Sequence, residues 1–104
     1  MPHVDSLLAL ALRSGADELR LGDDQAPAML ARGVQKRLAI PATDADTLHD
    51  LLGELLDADV EAKLRAGSKA ERQHVIAGVG AFRATFARRA HGLEVHFQIG
   101  RAHV

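Results

Sequence analysis

The stretch Leu93-Glu94-Val95-His96-Phe97-Gln98-Ile99 alternates apolar and polar side chains without a break. Successive side chains of a β-strand point to opposite faces, so this period of two predicts a strand with one buried face and one open face. Upstream, Phe82, Ala84 and Phe86 alternate with Arg83, Thr85 and Ala87, and Arg88 to Gly92 reads as the turn of an antiparallel hairpin. Val75-Ile76-Ala77, ahead of a Gly78-Val79-Gly80 turn, supplies a third strand. The C-terminal third is therefore predicted to be a three-stranded meander.

Towards the N-terminus the period changes. Val4, Leu7, Leu8, Ala11 and Leu12 recur at helical spacing, with Asp5 near the start and Gly15 just after the end, which predicts a short helix over 4–14. Ala16 to Leu21 reads as a half-buried strand followed by a Gly22-Asp23-Asp24-Gln25 turn. Pro27 to Ile40 reads as a hairpin, with Met29-Leu30-Ala31 and Val34 to Ile40 as strands about an Arg32-Gly33 turn. Thr43 is the expected N-cap of the next helix, whose stripe is Leu48, Leu51, Leu52 and Leu55. Asp57 or Asp59 is expected to cap a further short helix carrying Val60 and Leu64 and ended by Gly67-Ser68.

The chain has 104 residues, enough for one domain with its own core. The absence of cysteine excludes disulfides, cysteine-ligated zinc and a thiol nucleophile. A formal net charge of -1 provides no global field for nucleic acid or an anionic membrane, and three phenylalanines without tyrosine or tryptophan leave no base-stacking platform. The apolar run Leu7 to Leu12 is too short for a membrane span and lacks a basic leader, so a cytoplasmic location is expected.

Lys36, Lys63 and Lys69 follow Gln35, Ala62 and Ser68, and none belongs to a glycine-rich phosphate loop. Gly78-Val79-Gly80 lacks a third glycine and precedes a strand, which argues against a dinucleotide fingerprint. Ser6, Ser14 and Ser68 have no strand-to-helix elbow around them. No catalytic residue and no cofactor are expected. His91, Glu94 and His96 offer two or three metal-capable groups, against the alternative of ordinary polar side chains on an open sheet face; His3, His49 and His103 add no pattern. The interaction candidates are Arg20, Arg83, Arg88 and Arg89, a basic strip suited to carboxylates or phosphates, with Glu18 and Glu94 placed to neutralise it across the sheet.

The order of these motifs resembles the N-terminal PAS-like domain of the type IV pilus retraction ATPases, the twitching-motility branch of the secretion ATPases. The family's leucine-rich helix running into Gly-Ala-Ser-Asp-Leu-His-Leu is similar to Leu7 to Ser14 running into Gly15-Ala16-Asp17-Glu18-Leu19-Arg20-Leu21. The turn and hairpin that follow are similar to Ala26-Pro27 and Arg32-Gly33, and the next helix to Ala42-Thr43-Asp44 with Leu48 to Leu56. The family's Gly-Leu-Gly-Arg-Phe-Arg-Val-Asn strand is similar to Gly78-Val79-Gly80-Ala81-Phe82-Arg83-Ala84-Thr85. The resemblance spans residues 4–99. In that family the domain is joined to a RecA-like ATPase domain and packs on the neighbouring subunit's ATPase domain in a hexameric ring, with basic residues near the nucleotide. Arg83 matches the second of two motif arginines, Ala81 replaces the first, and Arg20 replaces the histidine.

The fold is expected to be α+β, a PAS-like antiparallel sheet with helices on one face and Leu19, Leu21, Leu51, Leu55, Phe82, Phe86, Val95 and Phe97 supplying much of the core. The resemblance implies a non-catalytic interaction domain that binds a motor ATPase, a motility or secretion component, or a second copy of itself. The alternatives are a small-ligand sensor, holding a nucleotide between sheet and helices, and a metal enzyme built on His91, Glu94 and His96.

Overall fold

The computed structural model describes residues 4–38, 41–90 and 92–100. The elements in order are α1 (Val4–Arg13), β1 (Glu18–Gly22), β2 (Gln25–Ala31), β3 (Val34–Arg37), α2 (Ala45–Leu52), a 3-10 turn (Gly53–Leu55), α3 (Ala58–Arg65), β4 (Ala70–Ile76), β5 (Gly80–Arg89) and β6 (Gly92–Gly100). The strands form one antiparallel sheet in the order β3-β2-β1-β6-β5-β4. The fold is α+β, as expected, with the helices packed on the sheet.

The strand over Leu93–Ile99 lies at the centre of this sheet and its register sets the two faces. Phe97 stands opposite Leu19 on β1 and Ala84 on β5, and all three are 0% exposed. The same parity turns Leu21, Val95, Phe82, Phe86 and Ile99 towards the helices, where they meet Val4, Leu8, Leu48, Leu52, Val60 and Leu64. Of the eight core residues expected from sequence, only Leu51 falls short of full burial. The Leu48–Leu55 stripe is broken because α2 stops at Leu52, where Gly53 adopts φ 50° and the chain tightens into the 3-10 turn.

Helix ends follow local chemistry. Gly15 (φ 77°) ends α1 in a Schellman motif, with the N–H of Ala16 donating to Ala11 and that of Gly15 to Leu12. Gly67 (φ 80°) ends α3 the same way, through Ser68 to Lys63 and Gly67 to Leu64. The α2 cap corrects the sequence reading: Asp44, not Thr43, accepts the Thr47 N–H (2.8 Å). Thr43 is buried instead, and its hydroxyl donates to the Gly22 carbonyl (3.2 Å), tying the approach to α2 onto the β1–β2 turn.

Four further strand boundaries differ. β2 begins at Gln25, so the turn before it shrinks to Asp23-Asp24, and β3 ends at Arg37, with Ala39 and Ile40 outside the described residues. Arg88 and Arg89 continue β5 in register with Leu93 and Gly92 instead of forming the turn. β4 starts at Ala70, five residues before the expected strand and running through Glu71-Arg72-Gln73-His74. Those residues carry no apolar alternation, which hides the strand from a pattern based on hydrophobicity.

Gly92 opens β6 at φ 126°, and a Cβ there would lie 2.2 Å from Asp23 Oδ2, the atom that accepts the Leu93 N–H. Gly92→Ala is expected to cost at least twice as much stability in urea unfolding as Gly78→Ala. The latter meets nothing within 4 Å and bears only the left-handed penalty of about 1–2 kcal/mol. The Thr47 backbone N–H, and then its side chain, hold the Asp44 carboxyl below its usual 3.8. A depressed folded pKa contributes stability above the unfolded value that is lost as pH falls through the folded one. The stability gap between the wild type and Asp44→Ala should therefore be full near neutrality and close on acidification below pH 3.8, as read by denaturation at a series of pH values.

Candidate functional site

The sheet face turned away from the helices carries no described element, and its side chains fall into rows fixed by strand register. One row runs Glu18, Gln98, Arg83, Gln73 across β1, β6, β5 and β4; the next runs Arg20, His96, Thr85, Glu71. Opposed residues in such rows stand about 4.5–5.5 Å apart at Cβ, close enough to interact directly. Arg89 and Glu94 lie on the same face, whereas Arg88, opposite Leu93, has the opposite parity. The register thus brings Arg20, Arg83 and Arg89 onto one face and separates Arg88 from them.

Pairing divides these arginines further. Arg20 Nε donates to Glu18 Oε2 at 3.0 Å, and His96 Nδ1 lies 3.7 Å from the other Glu18 oxygen. Arg89 Nε donates to Glu94 Oε2 at 3.2 Å. Exposed pairs of this kind contribute ~0–1 kcal/mol each and leave the arginine locally neutralised. Arg83 is exposed and has no ion-pair partner among the described residues; the amides of Gln73 and Gln98 flank it on the neighbouring strands. It lies in an open depression of about 640 Å³ whose floor and walls include Glu71, Gln73, Ala81 and Gln98. A cation between two amides over a small residue suits an incoming carboxylate or phosphate oxygen, because guanidinium and amide N–H groups can donate together.

Glu94 and His96 share the open face, but each is engaged with a different neighbour, and His91 lies outside the described residues, as do His3 and His103. Among the described residues no three metal-capable side chains converge. The layer between sheet and helices, where the sensor alternative places a ligand, is filled by the apolar core.

Two polar contacts that tie β4 to the helices were not visible in the sequence, although Asp57 is one of the two caps expected for α3. Asp57 caps α3 by accepting the Val60 N–H (2.9 Å), and its other oxygen accepts from Arg72 of β4. His74 of β4 meets Asp5 of α1 at 2.6 Å, both side chains being only 15% exposed. The available signal was the spacing: nine residues separate Ser68 from Gly78, enough for a strand to partner the long run that follows.

The fold defined by this sheet and its helices is that of part of the pilus and secretion ATPases. The chain superposes on the pilus retraction motor PilT, solved with bound ADP, at a TM-score of 0.81 and 19% identity, covering 100% of this chain and 30% of PilT. It superposes on the ATPase DotB of Legionella pneumophila at a TM-score of 0.79 and 11% identity, covering 97% of this chain and 30% of DotB. At these identities the likeness is one of fold, and the chain spans under a third of either protein. No family model matches the chain, and no curated protein matches it. No helix among the described residues is long and apolar enough to cross a membrane.

Because its side chain is exposed and has no ion-pair partner among the described residues, Arg83→Ala should leave stability within about 0.5 kcal/mol of the wild type. Asp57→Ala should cost about 1–2 kcal/mol, since it removes a helix cap along with the contact to Arg72. Thermal unfolding of the two variants side by side checks both.

Proposed function

We propose that this chain is a non-catalytic protein-interaction domain, a relative of the N-terminal domain of pilus retraction and secretion ATPases, acting as a single cytoplasmic module of a pilus or secretion motor. The observation that supports it is the superposition over the full chain on 30% of PilT, together with a sequence that has no phosphate loop of its own. The partner is a motor ATPase or another motility or secretion component, and it meets the open sheet face. Arg83 is the anchor. Its charge is not answered within the described chain, so a partner carboxylate gains a charge-assisted hydrogen bond there without first breaking an internal pair. Arg20 and Arg89, already held by Glu18 and Glu94, frame the face and contribute register more than affinity, while Arg88, on the other side of the sheet, takes no part.

Sedimentation velocity of the 104-residue protein mixed with a purified pilus retraction ATPase should show a complex. Arg83→Glu should weaken that complex at least tenfold without moving the thermal midpoint. No association with the ATPase, combined with a rise in melting temperature on adding a nucleotide or cyclic dinucleotide, would overturn the proposal in favour of a ligand sensor.

A further inference from the structure

The sheet has two borders, and they are built differently. β3 is four residues long, and Lys36 stands on its inner register opposite Met29; short length and an inward charge are devices that blunt an exposed edge. β4 is seven residues long, pairs with β5 in unbroken register from Ala70 to Ile76, and contains no proline, glycine or lysine. Its two inner-register polar side chains are already engaged, Arg72 with Asp57 and His74 with Asp5, so neither guards the edge. Val75 is 66% exposed on this border.

The backbone of β4 is directed outwards at alternate residues. Ile76 turns its carbonyl to the β4–β5 turn, accepting the Val79 N–H at 3.0 Å. Hydrogen-bonding direction alternates along an antiparallel strand, so the N–H and C=O groups of Glu71, Gln73 and Val75 face the free border. Beside it, on the helix side, a notch of about 310 Å³ opens between α3 and β4, floored by Val60, Ala62 and Ala70 and rimmed by Asp59 and Lys63. The charged residues lining the notch are balanced, Asp59 and Glu71 against Lys63 and Arg72, and Arg72 is itself held by Asp57 and Asp59. Glu71 has no ion-pair partner among the described residues.

We propose that β4 accepts an extended segment of a partner protein as a seventh strand, with one apolar side chain of that segment seated in the α3–β4 notch and a basic side chain beside Glu71. Main-chain hydrogen bonds to Glu71, Gln73 and Val75 supply affinity, while the notch and the carboxylate supply selectivity, the division of labour found when a peptide extends a sheet. In antiparallel register the residue opposite Val75 is apolar, the residue three further along enters the notch opposite Arg72, and the next one is the cation facing Glu71. A second copy of β4 does not meet this pattern: pairing about Gln73 places Glu71 against Val75 and Arg72 against His74. This border shares Glu71 and Gln73 with the lining of the Arg83 depression, but its main-chain pairing does not depend on the role proposed for Arg83.

The test is an NMR titration of the 15N-labelled 104-residue protein with the capped peptide Ser-Thr-Val-Thr-Thr-Val-Arg-Thr-Ser and with its arginine-to-glutamate version. The expected result is chemical-shift change and slowed amide exchange at Glu71, Gln73 and Val75, with shifts extending into α3. Gln73→Pro removes an N–H that points off the sheet and leaves the β5 ladder intact, so it should weaken binding at least tenfold with little change in melting temperature. Glu71→Lys should reverse the preference between the two peptides, and this exposed substitution decides the matter alone if the proline variant fails to fold. The proposal is overturned by shifts confined to Arg83 and Gln98, by no shift at millimolar peptide, or by a concentration-dependent dimer that Gln73→Pro dissociates while the peptide has no effect.

Discussion

Burial of Phe97 between Leu19 and Ala84 is the contact on which the rest of this structure depends. It joins the three central strands at one level, and the small side chain of Ala84 leaves room for the ring beneath the helices. A buried phenylalanine is worth roughly 3–5 kcal/mol against alanine, a large share of the ~5–15 kcal/mol that holds a domain of this size together. Because side chains alternate strictly along a strand, fixing Phe97 inward also fixes Gln98 and His96 outward. Register then carries that choice to Arg83, Glu18 and Arg20 on the neighbouring strands. The polar face is thus a geometric consequence of the apolar one.

The border strand β4 is held by different physics. Its inner register carries Arg72 and His74 where the central strands carry phenylalanine and valine, and each reaches a carboxylate at or near a helix start. Asp57 serves the α3 N-terminus and Arg72 at once, while Asp5 lies in the first turn of α1. Negative charge near a helix N-terminus is favoured by the helix dipole, so each carboxylate position suits both the helix end and its β4 partner. These contacts bind the helices to the sheet margin without covering it. Among the described residues no strand pairs with the outer side of this margin.

Similar arginines consequently have unlike situations. Arg20 and Arg89 lie within reach of glutamates two and five residues away along the chain, and both are neutralised locally. Arg83 has amides on either side in its row, while the carboxylate of Glu71 sits one register step away. Arg88, adjacent in sequence to Arg89, falls on the other side of the sheet for no reason beyond parity. The surface charge of a nearly neutral chain is therefore sorted by strand register more than by composition.

Periodicity alone was sufficient to read the meander at β5 and β6, the three helices and nearly all of the core, because apolar spacing reports directly on which face is buried. The cap of α2 was read one residue early, since Thr43 and Asp44 are both good capping residues and only the burial of Thr43 against Gly22 distinguishes them. Most of β4 could not be read, because its inner positions are polar and are satisfied by residues distant in sequence, Asp5 being 69 positions from His74. What the sequence by itself determined is the α+β architecture and the division into a buried and an open sheet face, both consequences of local periodicity. Tertiary structure alone decided which residues flank Arg83 on the open face and which strands border the sheet, because both depend on strand order and register between residues far apart in the chain.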